Sequence, residues 1–396
     1  MNSNISSEKN NQERLYYLIV SLIAINVFYS PIFRTQLTAC TLPDSQYFSS
    51  YNYFITNYSI YLKLIIFAYV LNNVHYILNN LYKLTTIHFF ITYLLIQSLI
   101  TANTIIQIIN ILNTLLIIYF VYVSIKKNLI STFIKYLIIY LSITIILSAL
   151  LMFFDLNGLY FTKCFASKNI LFGMKSTLNF VGFTESKNTL GANIFILNFL
   201  LLYFYNFTKN DFKIKISILL FSIHYIYYID SISPLLLTSL LLLSLITKNN
   251  KKIFIFTVFS IILLGYFFYG EILNLLSRDA TLSGRLYLWQ TMLNEIKSFP
   301  ILGNGINNYG FVVDNTFLKL LFDCGIIFTS IYIGWLIKRS YHAFIDSKKI
   351  DFSIIFFYVL VYSFSEGIGL FYSTNLVIIT MFISYFTAEK KEILND

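Results

Sequence analysis

Long apolar runs alternate with short polar breaks along the whole chain, and almost no run shows a polar face of its own. A helix needs about 20 mostly apolar residues to cross the hydrocarbon core of a bilayer. Twelve runs approach that length, at roughly 15–33, 55–77, 85–101, 104–125, 130–153, 189–207, 213–229, 232–247, 252–270, 316–337, 351–368 and 372–387. The narrowest division lies between the third and fourth, where only Thr101, Ala102 and Asn103 separate two apolar halves. One segment departs from the pattern. Leu286, Trp289, Met292, Leu293 and Ile296 recur at helical spacing with polar residues between them, which predicts an amphipathic helix over 285–296. Such a helix lies along the membrane interface rather than across it. Ser283 fits as its N-cap, and Pro300 with Gly303-Asn304-Gly305 turns the chain after it.

Composition agrees with the pattern. The chain has 396 residues, of which 57% are hydrophobic, 19% aromatic and 12% charged, and its mean hydropathy is +0.71. Soluble domains carry about 25% charged residues, so polar side chains are too few here to cover a water-facing globule. Disorder, collagen-like repeats and a disulfide framework are excluded with it. The expected fold class is all-α: a polytopic membrane protein of about twelve transmembrane helices, with 1–396 as a single transmembrane domain.

Charge sets the expected orientation. Lys and Arg concentrate on the cytoplasmic side of membrane proteins. With the N-terminus inside, seventeen of the 28 basic residues fall on inner segments and nine on outer ones, while Lys63 and Lys135 lie within spans, where long stems let ammonium groups snorkel to the interface. Both termini are then cytoplasmic. The net charge of +10 reads as a topology signal available to anionic lipid headgroups, not as a nucleic-acid footprint. The first apolar run lacks a small-residue cleavage site and reads as a signal anchor.

Two outer segments stand apart, 154–188 and 271–315, the second lying between the ninth and tenth spans. Long loops between elements are usually functional. Lys163, Lys168, Lys175 and Lys187 lie in or beside the first, and Arg278, Arg285, Lys297 and Lys319 in or beside the second. Cations on the side that topology disfavours point to an anionic ligand there. Arg285 opens the amphipathic helix, where free backbone N–H groups and the positive end of the helix dipole favour a phosphate. The same residue is equally compatible with a helix that only packs, its guanidinium snorkelling to water.

Other chemistry is sparse. There is no His-x-x-Glu-His, no outer Asp-x-Asp and no Cys/His cluster, so no metal or other cofactor is expected. Cys40 and Cys164 fall in outer segments, where an oxidising compartment permits pairing, though no spacing argues for it. Cys324 reads as a small residue within the tenth span. Glu366, an acid inside an apolar span, is a functional residue by default. His224 and Asn375 read as buried, hydrogen-bonded groups within the bundle.

Ser283-Gly284-Arg285, Trp289, Pro300-Ile301-Leu302-Gly303-Asn304-Gly305, Asp314-Asn315 and Gly325, in that order, resemble the bacterial O-antigen polymerase and O-antigen ligase superfamily. Gly182 to Asn188 likewise resembles the Gly-x-x-x-x-x-Asn with which that superfamily opens its sixth span. The resemblance implies twelve helices, cytoplasmic ends and a large outer loop between helices 9 and 10. The ligase branch usually has His before the Asn of this motif; here Asp314 holds the place, which looks more like the polymerase branch. The usual Arg of the first large loop is absent, leaving Lys175 or Lys187 as its replacement, able to neutralise phosphate but not to form a bidentate fork. The implied substrate is an oligosaccharide repeat on a polyprenyl diphosphate, joined into a surface polysaccharide, O-antigen or capsule, at the outer face of the bacterial cytoplasmic membrane. Arg285, Asp314 and Glu366 are the candidate catalytic residues. Arg278, Lys175, Lys187, Asn315, Asn188 and Trp289 are the candidate substrate contacts. Membrane lipids and a chain-length-regulating protein are the other candidate partners. Two alternatives stand beside this reading: a ligase that moves the glycan to an acceptor, and a non-enzymatic transporter of the lipid-linked glycan.

Overall fold

The computed structural model describes residues 14, 16–20, 61–101, 104–153, 162–165, 177–180, 187–204, 211–229, 231–247, 250–267, 285–306, 315–346, 355, 359 and 376–393. Among them the regular structure is helical, apart from one pair of strands and a short 3-10 turn at Leu81–Leu84. The helices are α1 (Tyr61–Asn72), then α2 (Val74–Leu78), α3 (Thr85–Ser98), α4 (Thr104–Lys126), α5 (Ile130–Phe153), α6 (Lys187–Phe204), α7 (Asp211–Tyr228), α8 (Ile232–Ile246), α9 (Lys251–Phe267), α10 (Arg285–Ile296), α11 (Thr316–Asp346) and α12 (Leu376–Ile393). In lipid a helix satisfies all its backbone groups internally, and many of these bounds fall within a few residues of the apolar runs. Among the described residues three helices are long and apolar enough to cross a bilayer, Thr104–Lys126, Ile130–Leu150 and Thr316–His342, which is consistent with a membrane protein. α3 ends at Ser98 and α4 begins at Thr104, so the narrow division falls between two separate helices.

The strands are an addition to the all-α expectation. β1 (Thr162–Phe165) and β2 (Thr177–Phe180) pair antiparallel, with Thr162 opposite Phe180 and Cys164 opposite Leu178. Both lie in the segment read as the first large outer loop, where windows of four residues are too short for alternation to register. Cys40 lies outside the described residues.

The chain forms two compact units, each built from two stretches: Met1–Asn79 with Leu116–Thr238, and Asn80–Leu115 with Ser239–Asp396. In the first unit Tyr16, Tyr69 and Phe120 gather with ring centroids 5.6–5.7 Å apart, and Phe133 meets Phe120 edge-on at 5.8 Å. The turn from α4 to α5 brings this cluster together. Asn128 adopts φ 61°, Leu129 N–H donates to the Ser124 carbonyl at 2.8 Å and Asn128 N–H to that of Ile125 at 3.1 Å, a Schellman cap. The Tyr16 hydroxyl then donates to the Leu129 carbonyl at 3.1 Å. An Asn128→Ala variant is expected to lose about 1 kcal/mol, since left-handed backbone disfavours a Cβ lacking local hydrogen bonds. Asn128→Gly should melt at or above the wild-type temperature in detergent.

α6 packs on α5 and on α7. A Cβ at Gly191 would lie 2.6 Å from Ser231 Oγ and 2.9 Å from Pro234 Cγ, so glycine there admits the start of α8. Between α6 and α7 Ser222 Oγ donates to Asn198 Oδ1 at 3.2 Å, a buried polar pair between two mostly apolar helices. His224 departs from its expected burial and is exposed. The phase of α7 turns Ser222, Tyr225 and Ile226 inward and carries position 224 to the other side. Asn375 lies outside the described residues. Lys63 is half-buried and Lys135 exposed.

The second unit is organised by α11. Phe90 of α3 meets Phe328, Tyr332 and Trp335 edge-on, with centroids 5.5–5.7 Å apart, and Tyr93 stacks on Phe328 at 4.7 Å. Farther along α11, the Arg339 guanidinium lies 4.4 Å from the centre of the Tyr385 ring of α12, and its Nη2 donates to the Tyr385 hydroxyl at 2.8 Å.

Candidate functional site

The site is built around a break in α11. Gly325 has φ 75° and ψ 177°, a conformation that only glycine adopts without strain. A helix interrupted there leaves backbone groups without their intrahelical partners, and these must be satisfied elsewhere. The turn after α10 supplies most of them. Asn304 N–H donates to the Phe322 carbonyl at 2.7 Å, Gly305 N–H to the Asp323 carbonyl at 3.1 Å, and Ile326 N–H to the Pro300 carbonyl at 2.9 Å. The Cys324 carbonyl takes the Tyr93 hydroxyl of α3 at 2.8 Å. Gln97, also on α3, donates from Nε2 to the Leu302 carbonyl at 2.7 Å and holds the turn from its other side.

The glycines make this docking possible. Gly303 and Gly305 have φ 85° and 88°. A Cβ at Gly303 would lie 2.5 Å from the Asp323 carbonyl oxygen, and one at Gly325 would overlap the Ile301 carbonyl. The glycines of the 300–305 turn and Gly325 are therefore halves of one contact, although the sequence shows them as separate pieces of a motif. Tyr93→Phe should lower stability by about 1 kcal/mol, because it strips a donor from a buried carbonyl. Thermal unfolding in detergent reads the change.

α10 forms over the expected residues and packs on α11. Met292, fully buried, and Ile296 meet Phe322, with Leu318 and Leu321 alongside. The apolar side of α10 is thus spent largely on a neighbouring helix, while Leu293 stays exposed. Trp289 is half-buried, and its indole N–H is enclosed without a hydrogen-bond partner among the described residues. Asn315 is buried and its Oδ1 accepts Leu318 N–H at 3.0 Å. The residue expected to touch substrate therefore caps the start of α11.

Other expected site residues are placed only in part. Arg285 is the first residue of α10, and Lys187 and Asn188 open α6 in the first unit. Arg278, Lys175, Asp314 and Glu366 lie outside the described residues, as do Ser283 and Gly284. The structure joins the 300–305 turn to the break at Gly325 and packs α10 on α11, whose start Asn315 caps. It also shows two residues the sequence reading passed over. Asp323 is completely buried beside the break, and Lys319, read only as one more outer cation, is half-buried one turn before it. Their signal was an acid and a base inside an apolar stretch. Cys324 is a free, buried thiol. Among the described residues no three His, Cys, Asp or Glu side chains gather at metal-binding range.

No family model, no curated protein and no solved structure matches the chain.

Proposed function

We propose that this protein is a metal-independent glycosyl polymerase that joins polyprenyl-diphosphate-linked oligosaccharide repeats into a surface polysaccharide. In this reading it sits in the bacterial cytoplasmic membrane with twelve spans, both termini inside and the site facing outward. One observation carries the proposal: the 300–305 turn docks into the α11 break at Gly325, through bonds to Phe322, Asp323 and Ile326. Pieces of sequence that carry the resemblance to O-antigen polymerases are thereby parts of one folded unit, with α10 packed beside it.

The reaction asks little of the protein beyond placement and charge. A sugar hydroxyl of one repeat attacks the anomeric carbon of another. A new carbon–oxygen bond forms, the bond to the diphosphate breaks, and the diphosphate leaves on its lipid. The hydroxyl proton passes to a carboxylate, for which Asp314 and Glu366 are the candidates. Charge building on the diphosphate is stabilised by fixed cations: Arg285 at the start of α10, with Arg278 and Lys175 or Lys187. Trp289 and Asn188 complete the proposed substrate contacts, and Asn315 holds the start of α11 as its cap.

Loss of the gene product separates the rivals on a polysaccharide gel. A polymerase leaves single repeats on the acceptor. A ligase leaves long polymer on the polyprenyl carrier, and a transporter leaves unpolymerised repeats on the inner leaflet. Either of the last two patterns would overturn the proposal.

A further inference from the structure

Asn315, Lys319 and Asp323 recur every four residues at the start of α11, which places them on one stripe of the helix. Most residues around them over 317–322 are Phe or Leu, and Leu318, Leu321 and Phe322 receive α10. The polar stripe runs beside that contact. Its far end meets the 300–305 turn, through Gly305 N–H on the Asp323 carbonyl at 3.1 Å and Asn304 N–H on that of Phe322 at 2.7 Å.

Packing alone does not explain a charge pair here. Lys319 stands in the first turn of its helix, against the positive end of the dipole, where a cation is disfavoured. It interacts with the carboxylate of Asp323, but a basic residue four before an acidic one is the weaker of the two orders. Buried ion pairs can often be exchanged for apolar residues of like volume without loss of stability. Ionisable side chains kept inside an apolar span belong to ligand or ion paths by default. The two members also differ in access. Asp323 is 0% exposed, whereas Lys319 keeps part of its surface open, so the lysine is the member of the pair left with surface to meet a ligand.

We propose that Lys319 binds the diphosphate of the lipid carrier and that Asp323 is its positioning residue. The proposal rests on the glycosyl-polymerase reading for the identity of the carrier. A diphosphate at the start of α11 meets the ammonium and the positive end of the helix together, so binding offsets the repulsion between Lys319 and the helix dipole.

The test removes both charges at once, so that neither is left orphaned. Lys319→Met/Asp323→Asn and Lys319→Gln/Asp323→Asn, one stripe less polar and one still polar, are purified in detergent beside wild type and Lys319→Arg. Farnesyl diphosphate binding is followed by tryptophan fluorescence, with inorganic pyrophosphate and phosphatidylglycerol micelles as separate arms. A charge-assisted contact is worth roughly 10- to 100-fold in affinity. The neutral pairs should melt near wild type, bind farnesyl diphosphate weaker by about that factor, and show a raised KM for the lipid-linked repeat. Lys319→Arg should retain both. Binding in the pyrophosphate arm as well would place recognition in the phosphates alone, and saturation by phosphatidylglycerol instead of the diphosphates would overturn the assignment. If either folded neutral pair binds and extends as wild type does, the pair is structural and the proposal falls while the polymerase reading stands. If wild type binds farnesyl diphosphate through Lys319 but never extends a repeat, the polymerase reading falls and the diphosphate site stands.

Discussion

Arg285→Ala is expected to collapse the long-chain ladder to single repeats while the protein still inserts in the membrane. Arg285 is the first residue of α10, where backbone N–H groups lack intrahelical partners and the dipole favours an anion. A leaving diphosphate gains charge as its bond to the sugar breaks, and removing one fixed donor from such a centre costs about 100- to 1,000-fold in rate. Arg285→Lys keeps the charge but not the bidentate fork and should fall between the two. Membrane fractionation controls for expression. A normal ladder from Arg285→Ala would remove this residue, and the phosphate site at α10, from the account.

The second large effect is structural. Gly325→Ala should prevent recovery of folded protein. Backbone at φ 75° and ψ 177° costs a non-glycine residue roughly 1–3 kcal/mol, and the added Cβ overlaps the Ile301 carbonyl. Relieving that overlap means lifting the 300–305 turn off α11. Each buried backbone group then left unpaired costs about 1–3 kcal/mol more, and the turn meets three of them at Phe322, Asp323 and Ile326. Gly334, on the same helix, is the control, because no atom lies within 4 Å of a Cβ placed there. Gly334→Ala should be neutral or stabilising by up to about 1 kcal/mol. Size-exclusion profiles after a temperature ramp compare the two. Equal melting of Gly325→Ala and wild type would refute the docking.

The helices were legible in the sequence because apolar runs bounded by polar breaks are a local signal. α10 was legible from a different local signal, the helical spacing of Trp289, Met292 and Ile296 among polar residues. What covers those helices was not legible. In a soluble protein the polar face identifies the exposed side. Here the exposed side is apolar as well, as Leu220, Phe221 and Tyr227 on α7 show, so nothing in the sequence sets the helix phase and His224 was misplaced. The docking of the turn on α11 was hidden for a different reason. It is carried by backbone groups far apart in sequence, and only the positions of Gly303, Gly305 and Gly325 hint at it. Asn315 was recognised as important, but a helix cap and a substrate contact call for the same carboxamide. Lys319 and Asp323 were overlooked because a count by side of the membrane ignores their spacing of four along α11.

The central claim is chemical, and purified protein tests it most directly. Lipid-linked repeats isolated from the same cells are mixed with the protein in detergent, without vesicle or gradient, and the products are separated by length. The account predicts a ladder of lengthened lipid-linked oligosaccharides with release of free polyprenyl diphosphate. Repeats that stay at unit length, while the same preparation reconstituted in vesicles carries them across the bilayer, would contradict it.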